Sequence, residues 1–445
     1  MRVTRDAQTS IFENFSNHEF GVRLEKLSQV LDQHPAMVDL VAQDLVHETP
    51  SRVGRTGLSA ESVLRCLLLK RQLGISYEQL AFHLSDSMTY RTFARLPPHL
   101  APSRSALQAT IRRIKPQTLQ QAHQVLAQNL LETGVASLDK LRIDSTVVAS
   151  NIADPSDSQL LDDGIRVISR LLAKSKTETG INIRFTDKRK ASKSLAFRIF
   201  NAKKATKNEL YPELLKIARL VLKQAGRALQ KVADDADSQA RQKWLGTLSH
   251  YRELLVGVIE QTERRVIHDE RVPASDKIVS LFEPHTDVIV KGFRDVQYGH
   301  KINLSTEVSG FITALTIEDG NPGDKTLFQP VLDFHHRVLG QLPRSVVADG
   351  GYASQANVEA GRAMGLKHVV FHKPVGVSLT DMGVKSKTFE ALRHFRAGIE
   401  GNISEFKRAF SAAKAKWKGH DGFKAFVWAS ALTYNLVRLA RLSPG

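Results

Sequence analysis

Apolar and polar positions alternate along this chain with two different periods, and the change from one to the other divides it. Residues 1 to about 115 carry the period of helices. After Gly57, the run LSAESVLRCLLLKRQLG sets Val63, Leu64, Leu67 and Leu68 on one face and ends at Gly74, a natural residue for a helix C-terminus. Ser76 and Gln79 then have the spacing of a capping box that opens a second helix, YEQLAFHLSD. Helix, glycine turn, helix is the outline of a helix-turn-helix, although a plain helical bundle has the same outline. A third helix is predicted after Pro102-Ser103, carrying Arg112 and Arg113 as candidate DNA contacts.

From Lys140 the period becomes two. KLRIDSTVVA sets Leu141, Ile143, Ser145 and Val147 against Arg142, Asp144, Thr146 and Val148, the pattern of a strand. A helical stretch follows from about Asp157 to Asp269. Strand patterns return at Gly299–Val308 and Phe311–Glu318, joined by a turn at Ser309-Gly310. A helix after NPGD leads to the apolar run RSVVADGG, a helix over Ser354–Met364 to KHVVFHK, and two last helices span roughly Thr388–Lys416 and Phe423–Leu439. Strand, helical insertion, strand, strand, helix, strand, helix, strand, helix predicts an α/β fold with a mixed five-stranded sheet. That order is the ribonuclease-H-like arrangement, with a helical N-terminal domain and a large helical insertion between the first and second strands. The expected boundaries are 1–135 for the N-terminal domain, 136–156 with 272–445 for the sheet domain, and 157–271 for the insertion.

Charge adds a partner to this outline. The chain of 445 residues carries a formal charge of +17, and a surplus of that size favours a polyanion, because Lys and Arg gain affinity by displacing counterions from phosphates. Between Arg166 and Lys231 there are about eighteen Lys and Arg against about four acids, so most of the surplus lies in the insertion. Lys188, Arg189, Lys190, Lys193, Lys203 and Lys204 are the densest part of it and are candidate phosphate contacts. Cys66 is the single cysteine, which excludes an intramolecular disulfide and a cysteine-built zinc site. The N-terminus MRVTRDAQTSIFENF lacks the apolar core of a signal peptide and no apolar run has the length of a membrane span, so a cytoplasmic protein is expected.

Three acids stand out on this framework. Asp144 lies within an apolar strand, where an unpaired buried charge is costly, so either the strand is a solvated edge or the acid has a task. Asp349 stands where SVVA gives way to Gly350-Gly351, at the carboxyl end of a strand, where open sheets place ligands. The glycines would also let a backbone approach a phosphate closely. Glu400 lies on the penultimate helix, with Arg396 four residues before and Lys407 seven after, all within about 40° of one direction at about 100° per residue. The plain alternative for that stripe is an ion pair four residues apart on a solvated face. Carboxylates gathered from distant elements suit phosphodiester chemistry with two divalent cations, since magnesium takes hard oxygen ligands and keeps several waters.

At these residues the chain resembles a known family. LRIDSTVVASNIADPSDSQLL, GNPGDKTLFQPVL, VVADGGYASQANV and RAGIEGNISEFKRAF look like the successive blocks of DDE transposases from bacterial insertion sequences, nearest to the ISNCY group, and LSAESVLRCLLLKRQLGISYEQLAFHLSDSMTYRTF resembles their N-terminal helical domain. The resemblance implies a ribonuclease-H-like catalytic domain whose metal ligands are Asp144, Asp349 and Glu400, with Arg396 and Lys407 on DNA phosphates. It further implies two Mg2+ ions, with Mn2+ able to substitute, and double-stranded DNA as partner: terminal inverted repeats and target DNA, held by a homo-oligomer. Cleavage and strand transfer are the implied activity. The alternatives are a DNA-binding protein that no longer cuts, and a nuclease of the same fold. One departure is visible. The family often has a tyrosine three residues before the arginine, where this chain has Arg393.

Overall fold

The strand predicted at Lys140 organises what surrounds it in the computed structural model, which describes residues 4, 17–46, 57–97, 99–233, 238–290, 296–373 and 376–442. It runs over Lys140–Ser150 (β1). The others are Asp287–Ile289 (β2), Gln297–Thr306 (β3), Ile312–Ile317 (β4), Ser345–Ala348 (β5), His368–Phe371 (β6) and Lys414–Ala415 (β7). The sheet is mixed and runs in the order β4-β3-β1-β5-β6, with β2 also pairing with β3 and β7 with β1. All five predicted strands are present, and among the described residues the sheet has seven strands instead of five. The two additional ones are three and two residues long, too short for a period to register in sequence. Order and helix placement are those of a ribonuclease-H-like fold.

The chain forms two compact units, residues 1–149 with 300–445, and residues 150–299. In the first, the N-terminal helices and the sheet share one hydrophobic core. Its last helix, His420–Leu442, is buried along most of its length and packs on the helices Pro116–Glu132 and Glu19–Gln33. Val63, Leu64, Leu67 and Leu68 of the helix Ala60–Leu73 are fully buried. Gly74 ends that helix at φ +66°, the left-handed conformation that glycine adopts without a Cβ clash. The capping box of Ser76 and Gln79 is formed in both directions at the start of the helix Tyr77–Asp86. The third helix, Arg104–Ile111, is shorter than predicted: Arg112 caps it and Arg113 follows in a turn, both exposed.

The second unit is built on the helices Asp157–Thr179, Arg189–Asn201, Lys204–Ala233 and Gln239–Thr262 around a separate core of leucines, isoleucines and Trp244. No helix among the described residues is long and apolar enough to cross a membrane.

Candidate active site

Strand pairing brings the first two acids together. β1 and β5 are parallel, with Ile143 opposite Ala348, so the next residues along the chain are Asp144, still on β1, and Asp349, just past the end of β5. Neighbouring strands lie about 4.8 Å apart, so two carboxylates reach one end of the sheet side by side from positions about 200 residues apart. Asp349 has left its strand, with φ −68° and ψ 163°, at the carboxyl end of β5.

The third acid comes from the helix Ser386–Ala409. Arg396, one turn before Glu400, donates from Nη1 to Glu400 Oε1 at 2.8 Å and from Nη2 to Asp144 Oδ2 at 2.7 Å. The same Nη2 is 3.6 Å from Asp349 Oδ1. One guanidinium therefore ties three carboxylates from three elements. The side chain of Arg396 is 9% exposed, whereas Asp144, Asp349 and Glu400 are 15%, 42% and 67% exposed, so the arginine forms the floor and the carboxylates open outward. This is not an ion pair on a solvated face. Three carboxylates against one guanidinium leave two negative charges uncompensated within the group.

The helix is held in position from β1. Arg142, two residues before Asp144 and 7% exposed, donates to Thr306 Oγ1 at 2.8 Å, Asn402 Oδ1 at 2.7 Å and the Phe395 carbonyl at 3.0 Å. Its guanidinium stacks over the Phe395 ring, 4.7 Å from the centroid. Burial lowers its pKa from the ordinary arginine value. Gly398 supplies the space: a Cβ there would collide with Arg142 Nη1. Arg142, Thr306 and Asn402 thus lock the helix face that carries Arg396 and Glu400 against the strand that carries Asp144.

A fourth acid was missed in the sequence. Asp324, in the NPGD turn after β4, accepts from Ser145 Oγ at 3.1 Å and from Lys301 Nζ at 3.2 Å. Ser145 follows Asp144 directly and donates its backbone N–H to Asp144 Oδ1 at 2.7 Å. Tyr352, fully buried beneath this group, donates to Asn303 Oδ1 at 2.7 Å, and its pKa is raised by burial first and then by Asp324 and Asp144. The glycines after Asp349 are also required by their protein neighbours. A Cβ on Gly350 would meet Lys373 and one on Gly351 would meet Asp324, so they make room for protein neighbours.

The remaining candidates lie apart from this cluster. Lys407, seven residues beyond Glu400 on the same helix, is half-buried about 10 Å along the axis. Arg393 pairs with Glu390 at 3.1 Å on the exposed side of that helix. In the second unit, Lys190, Lys193 and Lys203 are exposed and Lys188 is half-exposed, whereas Arg189 is paired with Asp187 at 2.6 Å. The side chain of Lys204 lies outside the described residues.

Residues 294–436 match the model of the family described as Transposase DDE domain, and residues 11–113 match that of a second, Transposase domain (DUF772). Asp324, Asp349, Arg396, Glu400 and Lys407 fall in the first span, and Asp144 precedes it. No curated protein and no solved structure matches the chain.

Proposed function

From the premise that this chain is a DDE transposase of an insertion-sequence family, and so an enzyme acting on DNA, we propose that it binds the terminal inverted repeats of its own element and carries out Mg2+-dependent cleavage and strand transfer. The observation that carries this reading is the convergence of Asp144, Asp349 and Glu400 on Arg396 from three separate elements. The donor set fits two divalent cations: it is all carboxylate oxygen, open to solvent and short of positive charge, which suits Mg2+, with Mn2+ serving in its place. When bound, such ions activate the attacking oxygen and stabilise the leaving oxygen of an in-line displacement at phosphorus.

The chain's own residues do the rest. Asp144 on β1 and Asp349 immediately past the paired end of β5 fix two ligand positions, and Glu400 closes the site from the helix. Arg396, buried beneath the carboxylates, holds them in register instead of meeting a DNA phosphate as the resemblance implied. Lys407 holds the same DNA strand further along the helix. Residues 1–135 supply the helical DNA-binding domain, with Arg112 and Arg113 at its surface. Residues 136–156 with 272–445 carry out the chemistry, and the insertion 157–271 holds DNA backbone through Lys188, Arg189, Lys190, Lys203 and Lys204. Two element ends must be held together, so the working form is at least a dimer on DNA in the cytoplasm.

The test is incubation with Mg2+ and a duplex bearing the repeats that flank the reading frame. Strand transfer is expected, whereas hydrolysis alone would make the protein a nuclease and binding alone a protein that no longer cuts. Asp144→Ala, Asp349→Ala and Glu400→Ala should each abolish cleavage and leave DNA binding within a few fold. Near-normal cleavage by any of them removes that residue from the site. Lys407→Ala should lower cleavage tenfold to a thousandfold, roughly the range for one lost charge-stabilising contact. Arg408→Ala, about 100° round the helix, is the control and should do much less.

A further inference from the structure

Behind the glycine turn at Gly74 is a cavity of about 510 Å3 whose walls are rich in cations. Lys70, Arg71 and Arg112 reach it from the N-terminal helices, and Lys416 and Lys418 from the segment that follows the Glu400 helix. The buried members are the informative ones. Arg71 is 3% exposed, stacks 3.8 Å above the Phe426 ring, and donates through Nη2 to Ser430 Oγ at 2.7 Å and to the Phe410 carbonyl. Among the described residues its Nε has no hydrogen-bond partner, and neither has the buried hydroxyl of Tyr77 on the same wall. Lys70 is 8% exposed, bonds the Ile75 carbonyl, and lies 4.5 Å from the centre of the Tyr77 ring.

Compensating acid is scarce here. Among the described residues lining the cavity, Glu78 is the one carboxylate; its side chain is 76% exposed and paired with Arg104 at 3.4 Å. Burial pushes Arg71 down to about 9, and burial followed by repulsion from Arg71 and Lys416 pushes Lys70 down to about 8. Buried charges are normally paired, because an isolated one is expensive to desolvate. Arg104 takes up Glu78, and the two buried cations crowded by the exposed Arg112, Lys416 and Lys418 leave this wall in need of a multiply charged anion.

We propose that this cavity is a phosphate-binding site that takes backbone phosphates of the DNA duplex bound by the N-terminal helices. The proposal rests on the reading of the protein as a DNA transposase and goes beyond its metal site. The cations come from both matched family spans, 11–113 and 294–436. A phosphate seated there fixes the register between the DNA on the N-terminal helices and the helix that carries Glu400.

The experiment uses the full chain without divalent metal. It compares wild type with the triple variant Arg112→Gln, Lys416→Gln, Lys418→Gln, whose side chains are exposed and leave the core intact. The control triple Lys367→Gln, Lys385→Gln, Lys387→Gln removes equal charge from exposed positions away from the cavity. The expected result has two parts. Inorganic pyrophosphate raises the melting temperature of wild type and control above that in sodium chloride of equal ionic strength, and does not raise that of the pocket variant. The slope of log K for duplex DNA against log salt falls by roughly 2 to 3 in the pocket variant, about 0.9 per lost phosphate contact, and much less in the control. Equal slopes in the two variants overturn the proposal. Lost pyrophosphate protection with an unchanged DNA slope also overturns it, since the site would then serve a free phosphate compound. Neither readout depends on cleavage, so a wild type that binds but never cuts would sink the catalytic reading and leave this one standing.

Discussion

Asp324 touches the carboxylate cluster through Ser145 without being part of the Asp144–Asp349–Glu400 set. Its carboxylate accepts from Ser145, whose own backbone N–H holds Asp144, and is balanced by Lys301. On the proposed reading of Asp144 as a metal ligand, Asp324 would orient it, and such partners typically alter metal affinity or activity by about 10- to 100-fold when removed. Asp324→Asn is therefore expected to slow cleavage by that amount and to raise the Mg2+ concentration needed for half-maximal rate. A normal Mg2+ dependence accompanied only by a lower melting temperature would reduce Asp324 to a partner of Lys301. The sequence concealed this residue for a physical reason. An aspartate after Asn-Pro-Gly reads as a turn former, and its approach to Ser145 depends on tertiary packing across about 180 residues. Asp144 and Asp349 were legible because each interrupts or ends an apolar strand run. Arg396 was legible only as a neighbour of Glu400; its reach to Asp144 and Asp349 comes from the fold.

At the scale of elements, the helix Ser386–Ala409 decides whether Glu400 meets the sheet, and Arg142 decides where that helix lies. Arg142 reads in sequence as the polar face of an alternating strand, yet both faces of β1 are covered and its guanidinium is buried against Phe395. Gly398→Ala would drive a methyl group into that guanidinium. Overpacking of this kind costs about 1–3 kcal/mol, and the expected signature is a lowered melting temperature with a larger loss of cleavage than of DNA binding. Gly401→Ala, three residues on with nothing among the described residues within 4 Å of its Cβ, is the matched control and should be neutral or slightly stabilising, as alanine is the better helix former. Equal behaviour at the two glycines would show that Arg142 does not set the helix. Long periodic segments were legible to within a few residues, but the end of this helix was not. It stops at Ala409 instead of near Lys416 because Phe410, Ala412 and Ala415 turn back into the core and β7 pairs with β1, with Ser411 at φ +52° making the turn.

At the scale of the whole molecule, the charge of +17 is distributed unevenly, divided in the second unit between paired arginines and exposed lysines. Arg166, Arg189 and Arg219 in the second unit have acidic partners in Asp163, Asp187 and Glu263. Lys190, Lys193 and Lys203 are exposed, and Lys188 half-exposed. Exposed lysines along helices suit phosphates without base readout, because an ammonium is a point charge on a flexible stem. Neutralising Lys188, Lys190, Lys193 and Lys203 together to glutamine should flatten the salt dependence of DNA binding by about 3 to 4 in log–log slope if all four reach phosphates. Affinity for the terminal repeat and for unrelated duplex should fall by the same factor, because a phosphate contact carries no sequence information. A selective loss on the repeat would mean that this surface reads bases or DNA shape. An unchanged slope would mean that the block meets another anionic surface, and DNA binding would then rest on the N-terminal helices and the cavity at Arg71.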